Sequence, residues 1–326
     1  MAGEGEFARI ERLFAPLSDA PHGLNLKDDV GLIPDLAGQG CIAADMIVSG
    51  VHFLPDDPGD LIARKLVRVN VSDIVAKGAR PRACLLTAAF NGDRDAEWID
   101  AFAAGLAPDL SAYGLVLVGG DTVRTPGPDC FSMTMVGEAA PGGLVKRAGA
   151  RPGDGLYVTG TIGDAGLGLK ILLGDLGDVA LGQRTPLVDR YRLPNPRVGF
   201  GEHLAKFASA ALDVSDGLVA DAGHLAQASG GAIRIELDRV PISSSAKRLV
   251  AKNEALRVSL LGLGDDYEIL FAAPPDAAAL IAEASGDSDT PVTRIGTVHK
   301  GPIGQVDVYD SQGGPVPLPR AGYQHF

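Results

Sequence analysis

A two-domain α/β protein is what this sequence predicts, and three observations carry that reading. The chain has 326 residues, about twice a typical domain of roughly 100–150 residues. Short apolar runs alternate with longer segments of helical periodicity, the pattern of mixed α/β sheets. Around Arg147-Ala-Gly-Ala-Arg-Pro-Gly-Asp154 the composition turns to glycine and charge, and a second alternation starts beyond it. The boundary drawn there divides the chain into residues 1–146 and 147–326.

The elements follow in order. Residues 6–14 have helical spacing and are ended by Pro16. Residues 41–48 form a buried-type strand leading to Gly50, His52 and a loop rich in Pro and Asp; residues 60–75 read as a helix with apolar positions at 62, 66 and 69. A strand at 83–90, a helix at 96–112, a short strand at 115–118 and an alternating strand at 131–138 complete the first domain. In the second, strand 156–159 precedes helix 164–173, a loop rich in Gly and Pro, and helix 198–209. Strand 211–214, helix 217–228, strand 232–237, a helical pair over 244–261, strand 268–272, helix 275–284 and strands near 292–298 and 304–309 follow. No repeat of solenoid or propeller period is present.

Composition narrows the functional classes. Hydrophobic residues at 46% and charged residues at 21% suit a globular protein with real cores. The net charge of −12 argues against nucleic acid or an anionic membrane as partner, since both need a basic footprint. No apolar run reaches the roughly 20 residues that span a bilayer, and the acidic start Met-Ala-Gly-Glu-Gly-Glu lacks the features of a secretion signal. Cys41, Cys84 and Cys130 are widely spaced in apolar stretches, which points to buried thiols in a reducing cytoplasm.

The informative feature is the placement of aspartates. Asp28 and Asp29 follow Leu-Asn-Leu-Lys; Asp45 interrupts the apolar strand Cys-Ile-Ala-Ala-Asp-Met-Ile-Val; Asp73 sits on an apolar stretch of helix. Asp121 follows Val-Gly-Gly, Asp213 and Asp216 flank a strand-to-helix turn, and Asp265-Asp266 lie in Gly-Leu-Gly-Asp-Asp-Tyr-Glu. A carboxylate among apolar residues is costly unless it is paired or holds a metal. Single members have plainer readings: Asp216 as a helix N-cap, Gly119-Gly120-Asp121 as a turn, Asp28-Asp29 as a solvated loop. As a set, hard oxygen ligands without His/Cys neighbours suit Mg²⁺, which binds carboxylates and substrate phosphates together. No G-x-x-x-x-G-K-[ST] loop occurs. From the residues alone the reading is Mg²⁺-dependent phosphate chemistry.

Nine motifs in order then add a resemblance. They are Lys27-Asp-Asp-Val30, Asp45-Met-Ile-Val-Ser-Gly-Val-His-Phe53, Asn70-Val-Ser-Asp-Ile-Val-Ala-Lys-Gly-Ala-Arg-Pro81, Gly119-Gly-Asp-Thr122, Arg147-Ala-Gly-Ala-Arg-Pro-Gly-Asp154, Tyr157-Val-Thr-Gly-Thr-Ile-Gly-Asp164, Asp213-Val-Ser-Asp-Gly-Leu218, Gly264-Asp-Asp-Tyr-Glu-Ile269 and Gly322-Tyr-Gln-His-Phe326. Through them the chain resembles the thiamine-monophosphate kinase family, in the superfamily of aminoimidazole ribonucleotide synthetase. The resemblance implies mixed α/β domains, the N-terminal one pairing across a homodimer into a β-barrel-like interface. It implies ATP and thiamine monophosphate as substrates and direct in-line transfer of the γ-phosphoryl group. It also implies Mg²⁺ held by Asp28, Asp29, Asp45, Asp73, Asp121, Asp213 and Asp216, with Asp45, Asp73 and Asp121 assisting transfer. ATP contacts fall on Gly119, Gly120, Arg147 and Ser215, and substrate contacts on His52, Asp265, Arg320 and Tyr323.

An ionised phosphate acceptor, with a second pKa of about 6, needs no dedicated general base. The chain departs from the family pattern at Lys27, Ala43, Ala44, Leu263, Asp265 and Arg320. Two alternatives stand beside this reading: another ATP-dependent synthetase of the superfamily, and a non-catalytic nucleotide-binding dimer.

Overall fold

The computed structural model describes residues 6–18, 22 and 33–318. It divides into two compact units: residues 1–74 with 79–139, and residues 75–78 with 140–326.

The first unit is built on a four-stranded sheet. Its strands are β1 (Gly40–Val48), β2 (Ala79–Asn91), β3 (Val116–Thr125) and β4 (Cys130–Ala139), in the order β1-β4-β2-β3. Helix α1 (Glu6–Leu13) precedes them, and α2 (Gly59–Val75) and α3 (Ala96–Ala112) lie between them in sequence. β2 and β3 are parallel and joined through α3, whereas β4 is antiparallel to both β1 and β2. Alternation sorts the faces. Phe131, Met133, Leu86 and Ile47 are buried on one side, while Ile42, Met46 and Leu85 are exposed on the other. The buried face meets the aromatic residues of α3: Phe102 and Phe131 have ring centroids 4.4 Å apart, and Trp98 stacks on Phe131 at 6.4 Å. Each fully buried aromatic contributes roughly 1.5–3 kcal/mol relative to exposure.

The second unit carries a six-stranded sheet, ordered β10-β7-β9-β5-β8-β6. Its strands are β5 (Gly155–Thr159), β6 (Ala210–Asp213), β7 (Ala232–Glu236), β8 (Ile269–Ala273), β9 (Val292–His299) and β10 (Val306–Tyr309). Only β7 and β10 are parallel; the other pairings are antiparallel. The helices are α4 (Asp164–Leu172), α5 (Leu181–Arg192), α6 (Val198–Gly201), α7 (Leu218–Ser229), α8 (Ser244–Val250), α9 (Ala255–Ser259) and α10 (Ala278–Asp287). β5 and β8 are buried along their whole length. The main core joins them to α7 through Leu212, Leu218, Leu225, Ile233, Leu270 and Ile295.

Three expectations are corrected. The strand expected at 115–118 runs on to Thr125, so Gly119-Gly120-Asp121 lies inside β3 and is not a turn. A Cβ at Gly120 would collide with the carbonyl of Leu86 on β2; the glycine pair serves close strand approach. The Gly/Pro-rich loop after α4 contains α5, whose sequence Leu-Gly-Gln-Arg-Thr-Pro-Leu-Val-Asp-Arg-Tyr-Arg hides it. Only Leu187, Val188 and Tyr191 of that helix are buried, so there is no apolar stripe to read. The helix expected at 198–209 is only the single turn α6 and a 3-10 turn at Leu204–Lys206. Gly201, whose Cβ would strike Val75, ends it. Of the cysteines, Cys84 is buried, with its thiol pushed up to about 12 by burial, while Cys41 and Cys130 are half-buried.

Candidate active site

In the first unit, β1 and α2 bring two of the aspartates to one neighbourhood. Asp45 is half-buried on the face of β1 that also carries Ile47. Its backbone N–H donates to Asn70 Oδ1 at 2.9 Å, and Asn70, fully buried on α2, donates through Nδ2 to Leu66 O at 2.9 Å. Asp73 follows Asn70 by three positions and so shares its helix face. Asn70 therefore ties the strand carrying Asp45 to the face carrying Asp73. Ser132 Oγ donates to the carbonyl of Asp45 at 3.3 Å.

Asp121 is elsewhere. It lies on β3 opposite Thr87 of β2, while Asp45 lies on β1 opposite Met133 of β4. The strand order places β1 and β3 at opposite edges. Three strand spacings, about 14 Å of sheet, separate them. One ion does not bridge that distance within a protomer.

His52 occupies the turn after β1. Val48 N donates to its Nδ1 at 3.1 Å, which assigns the ring proton of the neutral imidazole to Nε2. Lys65, buried on α2, donates from Nζ to His52 O at 2.8 Å. The histidine is thus held from both its ring and its backbone.

In the second unit the site forms where β6 ends and α7 begins. Asp213 is buried at the last position of β6; Ser215 and Asp216 are half-buried in the turn. The N-cap position of α7 belongs to Gly217, with no side-chain cap bond, so Asp216 is not the helix cap. Instead Asp221, buried in the first turns of α7, reaches back to accept from Asp216 N at 3.0 Å. Burial, followed by the adjacent charges of Asp213 and Asp216, pushes the Asp221 carboxyl up to about 8. One ligand atom from each of Asp216, Asp221 and His224 lies within 4.8 Å of the others. Carboxylates crowded this way repel one another, and a divalent cation relieves both the repulsion and the proton uptake. The two carboxylates suit an oxygen-loving divalent cation such as Mg²⁺, and the exposed His224 is a nitrogen donor that Mg²⁺ does not need.

The turn 214–217 runs beside the segment 263–268. Asp265 N donates to Ser215 O at 2.8 Å, Tyr267 N to Val214 O at 2.8 Å, and Val214 N to Glu268 O at 2.8 Å. Asp265 and Tyr267 both adopt positive φ, 69° and 51°, a conformation that is uncommon outside glycine. Glu268 is fully buried and bound by Arg197 Nε at 2.6 Å, Arg190 Nη2 at 2.8 Å and Thr159 Oγ1 at 2.7 Å. Burial alone would raise its pKa; the two arginines outweigh burial and hold it below the usual carboxylate range.

Arg147 is exposed in the segment leading to β5. Asp28, Asp29, Arg320 and Tyr323 lie outside the described residues. Sequence reasoning missed Asp221, His224 and Asn70. A second Asp five residues after Asp216, in an apolar helix start, was the available signal for the first. Nothing in the sequence marks Asn70 apart from the cost of a polar residue in an apolar helix stretch.

This architecture, with aspartates inside β1, α2 and β3 of the first unit and at the β6–α7 turn of the second, defines a class. Residues 27–139 match the family described as AIR synthase related protein, N-terminal domain, and residues 151–309 match AIR synthase related protein, C-terminal domain. The chain is 40% identical over 301 residues to a thiamine-monophosphate kinase of Caulobacter vibrioides, covering 91% of this chain and 84% of that protein. The crystal structure of thiamine-monophosphate kinase from Stenotrophomonas maltophilia K279a superposes with a TM-score of 0.83 at 35% identity, over 96% of this chain and 98% of that one. A second structure, AaThiL complexed with AMPPCP and TMP, superposes with a TM-score of 0.77 at 30% identity, over 99% and 97% of the two chains. The chain belongs to the thiamine-monophosphate kinase family of AIR synthase-related proteins. Among the described residues no helix is long and apolar enough to cross a membrane.

Proposed function

We propose that this chain is a cytoplasmic kinase that transfers the γ-phosphoryl group of ATP directly to thiamine monophosphate, giving thiamine diphosphate and ADP. The observation that carries this reading is the near full-length likeness to thiamine-monophosphate kinases, to which this chain adds the candidate ligands Asp45, Asp73, Asp121, Asp213 and Asp216. A neighbour holding AMPPCP and TMP fits ATP and thiamine monophosphate as the two ligands.

In this reading residues 1–146 form the nucleotide, metal and dimerisation domain and residues 147–326 the second α/β domain. Asp28, Asp29, Asp45, Asp73, Asp121, Asp213 and Asp216 hold Mg²⁺. The bound ions supply charge neutralisation between two polyanions and orient the transferred group. Gly119, Gly120, Arg147 and Ser215 contact ATP. His52, Asp265, Arg320 and Tyr323 line the acceptor. The acceptor phosphate is largely ionised at pH 7 and attacks in line without a protein base.

Homodimerisation is supported by the exposed apolar side chains of the four-stranded sheet. Ile42 is 71% exposed and Met46 54% on β1, with Leu85 on β2 and Val123 on β3 also exposed. A face of this kind, flanked by two sheet edges that have no strand partner among the described residues, suits a partner. Two such sheets close into a barrel most productively with β1 of one protomer against β3 of the other. That arrangement sets the strand of Asp45 beside the strand of Asp121 of the partner subunit, Asp45 on the face of Ile47 and Asp121 on the face of Val123, so the two serve one nucleotide from either side rather than one ion.

The test is incubation of the protein with Mg-ATP and thiamine monophosphate, with products followed by mass spectrometry. Thiamine diphosphate and ADP in equal amounts are expected. ADP with free phosphate, or no product despite ATP binding, overturns the substrate assignment.

A further inference from the structure

The segment Leu263–Glu268 is fastened to the helices around it at three separate points, and only one of its side chains, Asp265, belongs to the proposed acceptor site. At its start, Leu263 lies on the bare backbone of α4 at Gly166. A Cβ added to Gly166 would meet Leu263 Cδ1 at 2.8 Å and Cγ at 2.9 Å, and would come closer still to its Cβ. Leu263 also packs against the small core of Leu167, Leu187 and Leu260. In the middle, the fully buried Asp266 accepts from Gly163 N at 2.6 Å and Ala165 N at 3.2 Å, at the start of α4. At its end, Glu268 is clamped by Arg190 of α5 and by Arg197. Arg190 Nη2 donates in addition to the carbonyl of Asp266 at 2.8 Å.

These anchors account for the backbone of Asp265 and Tyr267. Two non-glycine residues at positive φ cost of order 1–3 kcal/mol each and persist only where the surroundings over-determine them. Asp265 sits between the Leu263 and Asp266 anchors, and Tyr267 between the Asp266 and Glu268 anchors.

We infer that Leu263, Asp266 and Glu268 are positioning residues that preset Asp265 for the acceptor, and that Leu263 and Gly166 act as a complementary pair in which leucine at one position requires glycine at the other. The role given to Asp265 rests on the proposed function; the anchoring rests on the contacts alone. Preset geometry matters because misplacement by about 1 Å can cost on the order of 100-fold in rate.

The experiment is a double-mutant cycle on the full-length protein. Gly166→Ala, Leu263→Gly and the double variant are compared for KM of thiamine monophosphate, KM of ATP and amide hydrogen exchange across 263–268. Gly166→Ala is expected to raise KM for thiamine monophosphate about tenfold and to speed exchange in the segment, with KM for ATP within about twofold of wild type. The double variant is expected to recover most of both effects. Asp265→Ala is expected to raise the same KM while leaving exchange at 266–268 unchanged, which separates a contact residue from a positioning one.

If Gly166→Ala does not fold, Leu263→Ala, which removes atoms without adding any, carries the test with the same expected directions. A double variant no better than Gly166→Ala overturns the complementary pair. Faster exchange without a change in KM overturns the positioning role. A wild type that makes no thiamine diphosphate overturns the acceptor assignment instead, while the exchange data still decide the anchoring.

Discussion

The two units hold their carboxylates in opposite ways. In the first, Asp45, Asp73 and Asp121 are spread over an edge strand, a helix and the opposite edge strand, and the strand bearing Asp45 is fixed through a neutral group, the amide of Asn70. In the second, Asp213, Asp216 and Asp221 crowd into one turn, and the crowding is visible as a carboxyl pushed up to about 8. The difference teaches what each region lacks. In the second unit the carboxyls are crowded enough that Asp221 is pushed toward its protonated form, and a cation would relieve the same crowding. In the first, among the described residues, Asp45 and Asp121 stand on opposite edges of the sheet, and the proposed dimer is one way to bring further ligands to each.

The largest expected effect comes from removing one carboxylate of the sparse region. Asp45→Asn keeps the backbone bond to Asn70 and the side-chain volume, yet removes a charged ligand, so kcat is expected to fall by roughly 100-fold or more. Near wild-type turnover, read by coupled ADP release, breaks the metal assignment in the first unit. Next comes the exposed sheet face. Ile42→Arg places a charge in the proposed barrel interface, and light scattering is expected to report the mass of one chain in place of two, with activity lost alongside. A dimer that persists removes the reason for pairing the sheets.

The smallest effect is a pH dependence that sharpens the comparison for the second unit. The carboxyls of Asp221 and Asp266 titrate near 3.8 in the unfolded chain and at about 8 when folded. Folded pKa values above the unfolded ones mean that the native state holds the extra protons. Stability is therefore full below about pH 4 on this account and falls as pH rises toward 8. The expectation is a metal-free melting temperature that drops between about pH 5 and 8 and levels off above, with Mg²⁺ restoring part of the loss. The drop should shrink in Asp221→Asn. A melting temperature that rises over this range contradicts the assigned burial of these groups.

Much of the fold was legible because its strands and most of its helices announce themselves by period. β1, α2, α3 and α7 fall close to where apolar spacing put them. What escaped was structure not driven by apolar spacing. α5 carries its buried side chains only in its last turns, and β3 continues through a glycine pair whose purpose is close approach to Leu86. The candidate ligands were readable as carboxylates in apolar surroundings, because burying an unpaired charge is costly wherever it occurs. Their grouping was not readable. Nothing in the spacing says that Asp45 and Asp121 sit on opposite edges, or that Asp221 and His224 return to Asp216 over one turn and a half of helix. Asp266, which the sequence groups with the candidate carboxylates, is instead, with Glu268, a buried anchor of its neighbour.

The most direct test of a phosphoryl-transfer site completed by the second protomer is subunit mixing. Asp45→Asn and Asp121→Asn are each prepared, unfolded together and refolded, and the kinase activity of the mixture is compared with that of each alone. If Asp45 works with Asp121 of the partner subunit, each mixed dimer regains one intact site, and random pairing restores about a quarter of wild-type activity. A mixture no more active than its two inactive parents contradicts the shared site and returns both aspartates to a single protomer.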